Sequence, residues 1–287
     1  MVIAPALWST AGVVTRHLSP ALQADGRFEI TFWRSLFAAL FVAGYLVFVR
    51  RDFVSSLRSA GLAGIVSGCM WATMFTAFML ALTLTSTANT LIVLAIAPLV
   101  TALLARGALQ VAISFRTWVA IAIAMVGIGV MFAGTLRIES RASVLGMVIA
   151  LAAPIASAVN IVTLKRSGQS VDLVPAVFLG GLISALAMLP FAWPFVASVL
   201  DIAWLAMLGF VQLGLPCMLL VIAARHLSAT EVALLALLEV VLGPALAWLG
   251  AGEVMSSHAL IGGTLVIVAL LLNELVALGP LKSRSSS

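Results

Sequence analysis

SAGLAGIVSGCMWATMFTAFMLALTLTSTANTLIVLAIAPLVTALLA, residues 59–105, runs for 47 residues without an Asp, Glu, Lys, Arg or His. One transmembrane helix needs only ~20 predominantly apolar residues. A soluble domain does not keep so long a stretch out of water. The polar cluster TLTSTAN, residues 83–89, is its single interruption, so the stretch reads as two membrane-spanning helices joined by a tight turn.

The rest of the chain agrees. Of 287 residues, 63% are hydrophobic and 9% charged, against roughly 25% charged in a soluble domain. Mean hydropathy is +1.24. This length holds about ten spans with short loops and no sizeable soluble domain. Spans are expected at 2–15, 31–49, 60–82, 88–104 and 117–134, then at 143–164, 173–196, 202–223, 231–250 and 259–278. The tail, 279–287, is polar. The fold class is therefore an all-α integral membrane protein with ten transmembrane helices.

The net charge of +5 does not imply a nucleic-acid partner, because the basic residues sit in loops and at helix ends, where they set topology. With both termini inside, the inner side holds Arg50, Arg51, Arg58, Arg106, Arg116, Lys165, Arg166, Arg225, Lys282 and Arg284. The outer side holds Arg16, Arg27, Arg34, Arg137 and Arg141. Ten against five favours the N-in, C-in orientation. Trp33, Trp118, Trp193, Trp204 and Trp248 fall near predicted helix ends, where amphipathic rings prefer the interface.

The chain repeats itself. Ser86-Thr-Ala-Asn89 lies over Ser228-Ala-Thr-Glu231 when the sequence is shifted by 142 residues, the difference between 228 and 86. Each opens an apolar helix, the fourth of its half. Five spans per half is an odd number, so the second half enters the membrane upside down, and inverted repeats of this kind mark secondary transporters. The expected division is 1–134 and 143–278, joined by an external linker at 135–142.

Several residues can carry chemistry. Glu239 falls near the middle of its predicted helix, where a charge costs about 2.5–3.5 kcal/mol on insertion scales. It is either a proton-titrating or substrate-binding group facing a wet cavity, or a structural group whose protonated carboxyl donates a hydrogen bond to backbone freed nearby by Pro244. Pro98 and Pro244 each interrupt the fourth helix of a half and remove one helical N–H. Such paired breaks point to a substrate site, although transmembrane helices also tolerate ordinary kinks. Trp8 and Trp71 lie well inside their helices and either stack on an organic substrate or pack. Asn160 and Gln212 are intramembrane amides, either cavity-lining or glue between helices. Arg34 is close enough to the start of its span to snorkel outward. Glu231 completes Ser228-x-x-Glu231, a helix-capping box. Gly64-x-x-x-Gly68, Gly127-x-Gly129 and Gly262-Gly263 read as close helix packing. Cys69 and Cys217 are small packing residues, and His17, His226 and His258 share no ligand spacing, so no metal is expected. No catalytic residue is expected, and the common nucleophile, zinc-hydrolase, dinucleotide and phosphate-loop motifs are missing. Without a phosphate loop, transport must draw on an ion gradient or on the substrate's own gradient.

Three stretches carry a family resemblance: residues 81–98, residues 228–239 continuing to Gly250-Ala-Gly-Glu253, and Trp8-Ser-Thr. Together with ten spans they resemble the EamA-type ten-helix transporters of the drug/metabolite transporter superfamily. Two departures stand out. The family's proline after Leu-Glu is replaced by Val240, with Pro244 following later, and the first-half counterpart of Glu253 is Val111. The resemblance implies a non-enzymatic exporter of a small organic metabolite (an amino acid, drug or related compound) in the inner (plasma) membrane. No cofactor is expected, and the intramembrane acid Glu239 makes a proton the candidate coupled ion. A passive channel and, less readily, an intramembrane enzyme are the alternatives.

Overall fold

The computed structural model describes residues 1–133, 140–168, 171–251 and 257–278. Its helices are α1 (Ile3–Trp8), α2 (Ala11–Thr15), α3 (Pro20–Asp25), α4 (Arg27–Gly44), α5 (Phe53–Leu84), α6 (Thr87–Leu94), α7 (Ala97–Leu109) and α8 (Phe115–Met131). After these come α9 (Arg141–Ala150), α10 (Ala152–Ser167), α11 (Val174–Ala192), α12 (Val199–Met207), α13 (Leu215–Ala223), α14 (Ala229–Ala236), α15 (Leu238–Ala251) and α16 (Ser257–Leu278). Tyr45–Val49 continues α4 as π-helix, and Leu208–Gly214 joins α12 to α13 in the same form. No strand occurs among the described residues.

Among the described residues, six helical stretches are long and apolar enough to cross a membrane: Arg27–Val49, Phe53–Leu82, Asn89–Leu109, Arg141–Ser167, Val174–Ala192 and Val199–Ala223. Ile3–Thr15, Phe115–Met131 and Ser257–Asn273 are shorter apolar helices. Their outward faces carry large apolar side chains such as Leu62, Val126, Leu186 and Leu271. That is the reverse of a soluble surface and suits lipid.

Local chemistry sets the helix starts. Serine caps five of them, its hydroxyl accepting the amide three residues on: Ser86, Ser114, Ser140, Ser198 and Ser228 cap α6, α8, α9, α12 and α14. Each such cap supplies a partner to an otherwise orphaned amide. The predicted box at Ser228 and Glu231 forms in full, and Ser198 makes a second one with Asp201. Asp52 starts α5 earlier than hydropathy suggests by accepting the Ser55 amide at 3.1 Å. The first turns of α5 are offset at Gly61, whose φ of 54° and ψ of −147° suit only glycine.

Small residues let the helices touch. α4 packs chiefly on α11, α5 on α11 and α10, and α8 on α16. A Cβ on Gly127 would lie 2.8 Å from the Gly262 carbonyl, and one on Gly262 would lie 2.3 Å from the Gly127 carbonyl. Gly68 meets Leu179 in the same way. Gly64 and Gly129 make no interhelical approach, and Gly263 meets only the end of the Val241 side chain, at 3.2 Å, so each predicted glycine motif rests mainly on one of its two glycines. Hydroxyls add to the packing where Ser35 and Thr76 both reach Ser184, at 3.1 and 3.2 Å.

Charged groups tie the loops at the two ends of the bundle. At one end Asp172 accepts from both Arg50 and Arg225, at 3.0 and 2.9 Å. At the other, Glu29 accepts the amides of Val196 and Ala197, at 2.9 and 3.0 Å. Asp201 there accepts the Ser19 amide at 2.7 Å.

Candidate functional site

Four breaks interrupt the helices. Turns at Ser9–Thr10 and at Leu151 separate α1 from α2 and α9 from α10. Turns at Ala95–Ile96 and at Leu237 separate α6 from α7 and α14 from α15. The spacing is regular: 151 − 9 and 237 − 95 both equal 142, the shift that superposes the sequence repeat. The prolines forecast only part of this. Pro98 sits in the first turn of α7, directly after its break, where its missing N–H costs nothing. The break in the second half falls at Leu237 instead of at Pro244, which lies inside α15. Nothing is described of the Pro244 side chain. Breaks beside Ser9 and Leu151 were not anticipated, although Pro154 in the first turn of α10 is a visible signal.

A cavity of about 190 Å³ opens beside these breaks. Ala11, Ala97, Ala153 and Ala236 line it next to them. Its aromatic wall is Trp8, Trp71, Phe75 and Phe78, and its polar groups include Arg34, Gln212 and Glu239. Four of the sequence-nominated residues, Trp8, Trp71, Gln212 and Glu239, therefore meet in one place, although they are spread over more than 230 residues of chain.

Three of the lining residues, Gln212, Trp71 and Arg34, each keep a buried polar atom with no hydrogen-bond partner among the described residues. Gln212 lies in the π-helical stretch, where the extra residue per turn changes the direction of its side chain. Its Nε2 donates to the Trp8 carbonyl at 3.1 Å, while its buried Oε1 has no partner among the described residues. The buried Trp71 indole N–H has none either. Glu239 stands in the first turn of α15, immediately after the Leu237 break.

Arg34 is a correction to the sequence reading. It is 6% exposed and faces the cavity instead of snorkelling outward. α4 begins at Arg27, so Arg34 is seven residues in, ~10 Å below the helix end at ~1.5 Å per residue. Its surroundings close the outward route. Ideal Cβ atoms on Gly181 and Gly209 would lie 2.7 Å from the Ser35 carbonyl and 2.8 Å from the Arg34 carbonyl. α11 and the π-helical stretch are thus pressed directly on this turn of α4. The buried Nε of Arg34 has no hydrogen-bond partner among the described residues. Arg34 and Glu239 interact electrostatically, but among the described residues no ion pair within 4.0 Å joins them.

Asn160 is placed differently. It is buried between α5 and α10, where Ser67 Oγ donates to its Oδ1 at 2.6 Å, and it does not line the cavity. Its structural alternative, glue between helices, describes this geometry. Gly252 and Glu253, which carried part of the resemblance, lie outside the described residues. No group of His, Cys, Asp or Glu capable of holding a metal occurs among the described residues.

Comparison with known proteins adds the family. Residues 1–133 and again 144–275 match that of EamA-like transporters. The chain belongs to the EamA-like transporter family. It is therefore a membrane protein of a family of small-substrate transporters in the drug/metabolite transporter superfamily. A solved structure titled "Crystal structure of protein" shares its fold, with a TM-score of 0.81 over 96% of this chain and 95% of that one. At 18% identity that likeness concerns the fold alone. No curated protein matches the chain.

Proposed function

We propose that this EamA-like protein is a secondary transporter that exports a small zwitterionic metabolite of amino-acid type by alternating access. The observation that carries the reading is a pair of opposite charges, Arg34 and Glu239, facing one intramembrane cavity without closing on each other. Intramembrane charges are costly and mark substrate or ion pathways. A guanidinium recognises a carboxylate, and a carboxylate recognises an ammonium group. The aromatic wall then receives an apolar side chain. The cavity's 190 Å³ is below the ~300–1,000 Å³ of sites for drug-sized ligands, which favours a metabolite over a drug.

The remaining architecture follows from the sequence. Ten spans form inverted five-helix repeats at 1–134 and 143–278, with both termini in the cytoplasm of a cell whose inner (plasma) membrane holds the protein. The broken helices recurring every 142 residues support this symmetry, since such helices surround midplane sites in inverted-repeat carriers. Glu239 is the candidate carrier of a coupled proton. Export, as opposed to uptake, rests on the family resemblance alone.

Counterflow in proteoliposomes tests the proposal, using a labelled neutral amino acid beside its amide and its decarboxylated amine. Wild type should saturate, show counterflow and prefer the zwitterion. Arg34→Gln should lose the preference for the carboxylate, and Glu239→Gln the preference for the ammonium group together with the pH dependence. Monodisperse variants that keep wild-type rate, pH profile and substrate range would refute the site. Flux with neither saturation nor counterflow would make the protein a passive facilitator.

A further inference from the structure

A second recess, of about 320 Å³, lies away from the transport cavity at the bundle end that carries Asp172. It is formed where α7, α8, α10 and α14 meet. We propose that it binds the phosphate group of an anionic membrane lipid.

Its charged lining is two cations against one carboxylate, among apolar and hydroxyl side chains. Arg116 and Lys165 both face it, and Glu231 is its one carboxylate. That carboxylate is already engaged, because it accepts the Ser228 amide at 2.7 Å within the capping box. Among the described residues neither cation has a carboxylate within 4.0 Å and the buried Nε of Arg116 has no hydrogen-bond partner. Lys165 feels Glu231 only at longer range.

Two helices add to the positive field. Ser114 and Ser228 line the recess and are the N-caps of α8, 17 residues, and α14, 8 residues. Helix N-termini present unpaired amides and a partial positive charge, which suits phosphate. Two unpaired cations and two helix starts against one committed carboxylate leave a pocket short of negative charge.

The position selects the source of that charge. The recess sits at the ends of apolar helices, a position that in a bilayer would face the headgroups. Beside it Val111 lines the rim, and Phe115, the first residue of α8, is 83% exposed. An apolar rim suits acyl chains, and basic pockets between transmembrane helices bind anionic headgroups. An occupant would also bridge α7 and α8 to α10 and α14, and α14 is the half-helix that leads to Glu239.

Native mass spectrometry of the purified full-length protein, with phosphatidylglycerol and phosphatidylcholine added in turn, tests this. Wild type should retain phosphatidylglycerol in preference to phosphatidylcholine. Arg116→Gln with Lys165→Gln should bind it about 30-fold more weakly, whereas Arg116→Lys with Lys165→Arg should retain it. Arg58→Gln, an exposed charge outside the recess, is the control and should bind as wild type. Equal binding by the Gln pair, or equal weakening by Arg58→Gln, overturns the proposal in favour of diffuse membrane electrostatics. Displacement of the lipid by millimolar inorganic phosphate, with protection of the fold against heating, keeps the phosphate site but assigns it to a soluble anion. Because the measurement is of lipid binding and not of transport, its outcome is independent of the substrate reading.

Discussion

Gly209→Ala should displace Arg34 without touching it. A Cβ at Gly209 would stand 2.3 Å from the Phe37 Cβ, 2.8 Å from the Arg34 carbonyl oxygen and 3.0 Å from the Ala38 amide. Ordinary carbon–carbon contact is at ~3.5–4.0 Å, so α4 and the π-helical stretch must separate by over an ångström at this level. Two of the three blocking atoms are main chain, so no rotamer change relieves the clash. Overpacking of this type costs about 1–3 kcal/mol, a factor of about 5–150 in an equilibrium constant. The strained backbone is that of Arg34 itself, so relief moves the guanidinium relative to Glu239. Purified Gly209→Ala should therefore melt earlier and show a raised KM in proteoliposome transport. Gly129→Ala is the matched control. It is also a helical glycine, but nothing lies within 4 Å of its would-be Cβ. The control should leave KM unchanged and be neutral or stabilising, since alanine is the better helix former. A Gly209→Ala variant with wild-type melting temperature and KM would refute the argument that glycine contacts hold Arg34 inward.

Two further substitutions separate structural polar groups from transport. Asn160→Leu removes the acceptor of Ser67 Oγ in the buried α5–α10 contact; it should cost about 1–3 kcal/mol of stability, read as a lower melting temperature, while KM stays at the wild-type value. Asp172→Asn breaks both ion pairs at the bundle end, whose groups are 26–46% exposed. Each pair is then worth at most about 1 kcal/mol, so the variant should melt slightly earlier at low salt, with the difference shrinking as sodium chloride is added.

Much of this was legible because hydropathy and capping are local properties. Ser228 and Glu231 announce a helix start in four residues, and the structure forms that capping box in full. Trp8, Trp71, Gln212 and Glu239 stood out because polar or amphipathic groups inside apolar helices need partners, and they do face a common space. Asn160 satisfied the same rule with a different solution, a serine on the neighbouring helix, and nothing in the residue itself distinguishes the two. Arg34 was misjudged because its depth depends on where α4 begins. The helix extends four residues further toward Arg27 than the apolar run at 31–49 suggests, which carries Arg34 deeper. Prolines signal helix breaks only in part, since main-chain turns at Ser9–Thr10 and Leu237 form without a proline at the break. The role of Glu29 has no local signal, because its partners, the amides of Val196 and Ala197, lie more than 160 residues away.

The four alanines that line the cavity at the breaks, Ala11, Ala97, Ala153 and Ala236, bear on how recognition can be mapped. A turn that interrupts a helix releases carbonyls and amides from their usual partners, and alanine screens that backbone less than any larger side chain. A polar cargo entering at this level can exchange water for peptide groups at four points around it. Alanine scanning cannot register this part of the site, because its residues are alanine already. It is open instead to enlargement, Ala97→Val or Ala236→Val, which would curtain the peptide groups off while leaving every charged and aromatic side chain of the cavity in place.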